Sequence, residues 1–78
     1  MVSVRFFGPA RQAAGRSEAE VTGTTVDEVL AAVERQFGEE LKRVVATSRI
    51  WVNGEAASGS DVLGEGDELS VIPPVSGG

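Results

Sequence analysis

The sequence predicts an α+β domain in which a mixed β-sheet packs on one main helix. Two observations lead to this fold class. Residues 2–7 alternate apolar and polar side chains as a half-buried strand does, and residues 26–37 carry an apolar stripe at helical spacing behind a capping signal. Further short strands follow at 49–56 and 68–72, so strands before and after one long helix share a core. A chain of 78 residues has room for one such core.

The N-terminal part predicts two strands joined by a short helix. In the strand at 2–7, the side chain of Phe7 falls on the polar face, opposite the valines. Gly8 and Pro9 end this strand, and the proline suits the first turn of a short helix. We expect the second strand, at 18–22, to return antiparallel to the first.

The main helix is predicted to begin near Val26. Thr25 and Glu28 form a capping box, in which the threonine oxygen and the glutamate carboxylate accept hydrogen bonds from free amides at the helix start. An apolar stripe faces the core and consists of Val26, Val29, Leu30, Val33 and Phe37. Gly38 is placed to end the helix, and a second short helical segment is expected at 41–45.

The C-terminal half predicts three strands. A strand at 49–53 runs into the hairpin turn Asn53-Gly54 and a short returning strand. One helical turn is expected at 60–63. A glycine and aspartate turn then begins the last strand at 68–72. This element order predicts a grasp-like arrangement of a mixed sheet over one helix.

Alternation along the strands predicts a mixed aromatic and cationic patch on the sheet face away from the helix. Phe7, Trp51 and Ile72 lie on this face beside Arg5 and Arg49. An exposed patch of this kind is typical of a protein interface. The alternative is that loops or the tail cover these residues, because a slip of one position turns a strand residue to the other face.

The composition excludes several kinds of chemistry. The chain has no cysteine and no histidine, which removes disulfides, thiolate metal sites and the usual general base, so we expect no metal site and no catalysis by the chain alone. Seven basic and twelve acidic residues give a net charge of -5, which disfavours nucleic-acid binding and favours a basic protein partner. No apolar run approaches the roughly 20 residues of a membrane span, and no signal peptide is recognisable, so we expect a cytoplasmic protein without membrane contact.

The chain ends in the run Pro-Pro-Val-Ser-Gly-Gly, residues 73–78. The prolines keep this segment extended, and Gly77 has no Cβ, so the walls of a partner's active site can close around it. The C-terminal carboxylate of Gly78 is then the candidate reactive group. The alternative is a frayed terminus. The sequence therefore predicts a domain at 1–72 and an extended tail at 73–78.

Three segments together resemble a known family. They are Val4-Arg5-Phe6-Phe7-Gly8-Pro9-Ala10-Arg11 followed by Ala14-Gly15, the capped helix from Thr25, and Gly66-Asp67-Glu68 leading to Pro73-Pro74-Val75-Ser76-Gly77-Gly78. The chain is similar in these segments to the small subunit of molybdopterin synthase, a family of ubiquitin-like β-grasp sulfur carriers. The resemblance covers nearly the whole chain, although 39–59 carries little family signal.

The resemblance implies a carrier that acts only with partners. A partner adenylating enzyme would use ATP to activate the carboxylate of Gly78, and a sulfur donor protein would convert the adenylate to a thiocarboxylate. The large catalytic subunit of the synthase would then take up the tail and pass the sulfur to a pterin precursor. The chain itself binds no cofactor in this scheme, since the ATP belongs to the adenylating enzyme.

The resemblance also implies which residues contact the partners. Apolar positions near the end of the first strand and along the tail dock the large subunit, and Arg11 adds a polar or ionic contact, although a solvated arginine is an equal alternative. Trp51 and Ile72 join this set through strand alternation. The residues carried over from the family's apolar docking positions are Phe7, Pro73, Pro74 and Val75.

Three other functions remain open at the level of sequence. The first is a ubiquitin-like modifier joined through Gly78 to lysines of target proteins, which shares the adenylate step. The second is a sulfur carrier for thiamine or cysteine synthesis. The third is an interaction domain whose tail does not react. The run Pro-Pro-Val-Ser before the two glycines favours the synthase subunit by resemblance alone.

Overall fold

Within residues 1–74, which the computed structural model describes, strands and helices follow the predicted order. The short helix predicted after Gly8 and the helical segment predicted at 41–45 are both helical. The elements are β1 (Val2–Phe6), α1 (Gly8–Ala14), β2 (Glu18–Val21), α2 (Val26–Phe37), α3 (Glu39–Thr47), β3 (Arg49–Val52), β4 (Glu55–Ala56) and β5 (Glu68–Ile72). No helix in this part of the chain is long and apolar enough to cross a membrane.

The five strands form one mixed sheet in the order β2-β1-β5-β3-β4. The first and last strands, β1 and β5, pair in parallel at its centre, with Val4 beside Leu69 and Phe6 beside Val71. The other pairs are antiparallel, including the predicted return of β2 along β1. The predicted α+β class with a mixed sheet is therefore confirmed.

The core lies between one face of the sheet and the helices. Val29 and Val33 of α2 are fully buried against it, as the helical stripe predicts. The inward residues of β1 and β5 are also buried, at exposures of 2% or less. These sheet residues are Val2, Val4, Phe6, Leu69 and Val71.

The start of α2 differs in one hydrogen bond from the predicted capping box. The side chain of Thr25 accepts a hydrogen bond from the amide of Glu28 at 3.2 Å, as predicted. The Glu28 carboxylate, however, accepts from the amide and the hydroxyl of Thr24, both at 2.8 Å. The Thr24 amide contributes most to lowering the pKa of Glu28, followed by the Thr24 hydroxyl. The cap therefore reaches one residue further back than the motif indicates.

The predicted helical turn at 60–63 is wrong. This segment is irregular and forms an isolated bridge between Val62 and Thr25. The carbonyls of Gly59 and Asp61 accept hydrogen bonds from the amides of Asp27, at 2.9 Å, and Val26, at 3.0 Å. These amides have no acceptor within α2, because they lie in its first turn. The segment thus supplies acceptors to the helix start instead of folding into a helix of its own.

Replacing Leu69 tests the position of the core. Leu69 is fully buried on the central strand β5, so Leu69→Ala should lower the free energy of unfolding by about 2–5 kcal/mol. The matched control is Val62→Ala, since Val62 is 80% exposed, and its effect should stay within about 0.5 kcal/mol. Chemical denaturation measures both. Equal losses in the two variants would contradict this description of the core.

Candidate functional site

The sheet register places the predicted patch on the face opposite the core. Trp51 lies beside Ser70 of β5, and Ser70 lies beside Arg5 of β1. Arg49 pairs with Ile72 in the same way, one row nearer the end of β5. We call this surface the outer face. Trp51 and Ile72 are half-buried on it, so neither side chain is fully covered or fully exposed.

Phe7 stands at the edge of the outer face and is 44% exposed. It is the N-cap residue of α1 and keeps an extended backbone, with φ -121° and ψ 150°. Its amide donates to the carbonyl of Val71 at 3.3 Å, which holds it beside the end of β5. β1 itself ends one residue earlier than predicted, yet Phe7 still faces outward. Solvent access to this ring is the condition for its predicted role in docking.

The root of the tail lies next to Phe7. Strand β5 ends at Ile72, the last residue of the predicted domain. Pro73 is buried in the free chain and Pro74 is exposed, so only Pro74 of the two prolines offers its surface directly to a partner. The predicted residues Val75, Gly77 and Gly78 lie outside the described residues.

The opposite end of β5 is fixed by polar side chains. The Asp67 carboxylate accepts hydrogen bonds from the Gly64 amide at 2.8 Å and from the Asn53 side-chain amide at 3.1 Å. The Asn53 side-chain oxygen accepts in turn from the Glu68 amide at 3.0 Å. These bonds, the Gly64 amide first, lower the pKa of Asp67. The Gly-Asp-Glu turn therefore shapes the start of the strand and lies away from the tail.

Several arginines lie on or beside the outer face. Arg5 on the outer face lies 3.8 Å from the Glu68 carboxylate, and both side chains are about half exposed, so this ion pair is weak. Arg11 is exposed on α1, as its predicted role requires. Arg16 lies near it and was not singled out by sequence reasoning. Its neighbour Phe37 is far away in sequence, so no local pattern indicated the contact.

Within residues 1–74, no group of three or more acidic, histidine or cysteine side chains is placed to hold a metal ion. The chain contains no histidine and no cysteine, so no serine or threonine can be paired with one of them. What the described geometry offers is a partly apolar docking surface beside the point where the tail leaves the sheet.

Comparison with known proteins agrees with this geometry. The mixed sheet over α2 is that of a ubiquitin-like β-grasp domain, and solved structures of this class match nearly the whole chain. The ThiS family model matches residues 4–78. The chain therefore belongs to the ThiS family, and it is a sulfur carrier of that type.

Individual relatives span the full length of the chain. The molybdopterin synthase sulfur carrier subunit of Mycobacterium tuberculosis is 36% identical over 81 residues, covering 99% of this chain and 96% of that protein. The small archaeal modifier protein 1 of Methanosarcina acetivorans has a TM-score of 0.89 at 28% identity, covering 99% and 95%. A chain in the complex of subunits 1 and 2 of the molybdopterin-converting factor from Helicobacter pylori has a TM-score of 0.73 at 29% identity, covering 99% and 97%.

The hydrogen bonds of Asp67 predict a loss of stability in acid. Its pKa is lower in the folded chain than in the unfolded chain, so below about pH 4 the unfolded chain takes up the proton first. The free energy of unfolding should therefore fall as the pH drops through the folded pKa. Asp67→Asn should be less stable near pH 7 and show a flatter decline, measured by urea denaturation from about pH 6 to about pH 3.

The control for this pH series is Glu55→Gln. The Glu55 carboxylate is exposed on β4 and accepts no hydrogen bond from the described residues. The variant should keep the acid sensitivity of the original chain. An unchanged pH profile in Asp67→Asn would show that the bonds to Gly64 and Asn53 do not hold in solution.

Proposed function

We propose that this chain is the sulfur-carrying subunit of a molybdopterin synthase and carries sulfur as a thiocarboxylate on Gly78. The observation that carries the proposal is the exposed Phe7 ring, which stands beside the root of a tail ending in two glycines. The identity of 36% to a molybdopterin synthase sulfur carrier subunit, over nearly all of both chains, supports the choice of pathway.

The reaction begins with activation of a poor electrophile. The Gly78 carboxylate attacks the α-phosphorus of ATP in the adenylating enzyme, and pyrophosphate leaves. A sulfur donor protein then delivers a hydrosulfide equivalent to the carbonyl carbon, and AMP leaves. This sequence needs no side-chain nucleophile from the carrier, which fits a cytoplasmic chain without cysteine and histidine.

The second stage takes place in the large subunit of the synthase. Six residues follow Ile72, the last residue of β5, and at roughly 3.3 Å each they reach about 20 Å at most. The tail can therefore enter a deep active site while Phe7 and the outer face stay on the subunit surface. The acids and bases that transfer sulfur to the pterin precursor belong to that subunit. The carrier supplies the reactive carbonyl and its position.

A second candidate is a protein modifier joined through Gly78 to lysines of other proteins. The TM-score of 0.89 with an archaeal modifier protein favours it. Both functions start with the same adenylate, and they differ in the acceptor. Carriers for thiamine or cysteine synthesis use the same thiocarboxylate and differ only in the partner that consumes it.

The mass of the intact protein tests the proposal. After incubation with the adenylating enzyme, ATP and a sulfur source, the chain should gain a species with one oxygen replaced by sulfur at the C-terminus. Deleting Gly78 should abolish this species and leave the thermal melting unchanged, because the domain core ends before the tail. Absence of the species from the original chain would refute the carrier function, and adducts on lysines of many proteins would indicate the modifier.

Phe7→Glu tests the docking surface. The substitution should weaken binding of the large synthase subunit by about tenfold or more, because an exposed aromatic anchor is lost and a charge is buried. The free energy of unfolding should change by about 1 kcal/mol or less, since the ring is largely exposed. Val62→Glu is the control at an exposed apolar side chain outside the outer face. Equal binding losses in the two variants would contradict docking through Phe7.

A further inference from the structure

An open cleft with two arginines lies between α1 and the connection to β2. It has a volume of about 700 Å³ and is lined by Gly8, Arg11, Gln12, Gly15, Arg16 and Ser17. We call it the arginine cleft. Its lining contains no acidic residue, which is notable in a chain of net charge -5. The cleft is thus a positively charged site on a protein of negative net charge.

One wall of the arginine cleft is anchored on the core. The guanidinium carbon of Arg16 lies 6.0 Å from the centre of the Phe37 ring, within the range of a cation–π contact. The Phe37 ring packs edge-on against Phe6, with centroids 5.7 Å apart. Phe6 is buried in β1, so Arg16 rests on an aromatic platform joined to the core.

The other arginine is carried by a short helix whose end is well defined. Arg11 lies in the last turn of α1, and its carbonyl accepts from the Gly15 amide at 2.9 Å. Gly15 has φ 74°, a left-handed conformation that glycine adopts without strain. This closure turns the chain toward Arg16 and brings the two arginines to one cleft.

Neither arginine of the cleft has a carboxylate partner in the part of the chain that the structure describes. The ion pairs formed there join Arg5 to Glu68 and the amino terminus to Glu65. Both Arg11 and Arg16 are exposed. Guanidinium groups bind carboxylates and phosphates in a forked geometry, so the cleft is suited to an anionic ligand.

The position of the cleft indicates which molecule would supply the anionic group. The Ser17 carbonyl accepts from the Phe6 amide at 2.9 Å, and the Phe7 amide donates to Val71, so the cleft lies at the end of the sheet where the tail leaves. The six residues after Ile72 can span at most about 20 Å when fully extended. In a partner that takes up the extended tail, the groups that react with Gly78 would lie up to that far from the cleft, and the cleft itself would meet the partner surface around the entrance.

We propose that the arginine cleft binds carboxylate side chains of the large synthase subunit, at the entrance to the channel that takes up the tail. This inference rests on the proposed function, because it names the chemistry of that partner. A carrier of net charge -5 repels an acidic surface overall, but the cleft, which is lined by two arginines and no acidic residue, can approach one. Pairing there therefore fixes the orientation of the docked carrier as well as adding contacts.

The first test uses the carrier alone. A peptide of four glutamates with blocked ends, titrated into ¹⁵N-labelled protein, should shift the amides of Gly8, Gly15 and Ser17. The shifts should disappear in the double variant Arg11→Gln/Arg16→Gln and persist in Arg35→Gln, which changes an exposed arginine on α2 outside the cleft. Inorganic phosphate is titrated separately. Shifts with phosphate and none with the peptide, or no shifts with either, would overturn the proposal.

The second test uses the complex with the large synthase subunit. The double variant should bind about tenfold more weakly and lose part of the salt dependence of binding, while Arg35→Gln binds as the original chain does. Thermal melting confirms that each variant folds. An unchanged Kd in the double variant would refute the role of the cleft.

The two proposals fail in different ways. Thiocarboxylate formation is measured on the original chain and on Arg35→Gln, so the test of the sulfur-carrying step does not depend on the two arginines of the cleft. If the original chain does not bind the subunit at all, the synthase function is refuted. The peptide titration then still decides whether the cleft recognises carboxylates.

Discussion

The parallel pairing of β1 with β5 is the constraint on which the rest of the structure depends. It joins the first strand of the chain to the last and places Val4 beside Leu69 at the centre of the sheet. Both residues are fully buried, so the pairing is held by the best-packed part of the core. The same register brings the Phe7 amide to the Val71 carbonyl and so sets where α1 begins and where the tail leaves. Core, outer face and tail root follow from one strand pair.

Much of this arrangement was predictable because strand and helix periodicities are local. Alternation in 2–7 and 68–72 identifies the buried side of each strand, and it also places Phe7 and Ile72 on the other side without knowledge of the register. The start of α2 was equally predictable, since Thr25 acts within one turn. What periodicity does not give is the order of the strands. The order of the elements indicated a grasp-like sheet, the resemblance to a family added the ubiquitin-like β-grasp, and the observed sheet with its parallel central pair agrees with both.

The capping bond from Thr24 to Glu28 is local, but two other features that sequence reasoning missed depend on contacts between distant residues. The segment at 60–63 is irregular because the first amides of α2 take their acceptors from Gly59 and Asp61, more than thirty positions away. A Cβ at Gly59 would lie too close to the carboxylate of Asp27, so that side chain would have to move. Arg16 was singled out only by its contact with Phe37, which lies at the end of another helix and packs on Phe6 of β1. No window along the sequence contains these pairs.

A carrier whose reactive group lies on a tail needs a fixed origin for that tail. Strand β5 is held at its start by Asn53 and Asp67 and at its end by the bond between Phe7 and Val71. The end of β5 is therefore held in a fixed position beside the outer face and the arginine cleft. A partner that binds those two surfaces has also fixed the point from which the tail extends. Docking of the domain thereby raises the effective concentration of Gly78 in the partner's active site. This effect requires no catalytic side chain from the carrier.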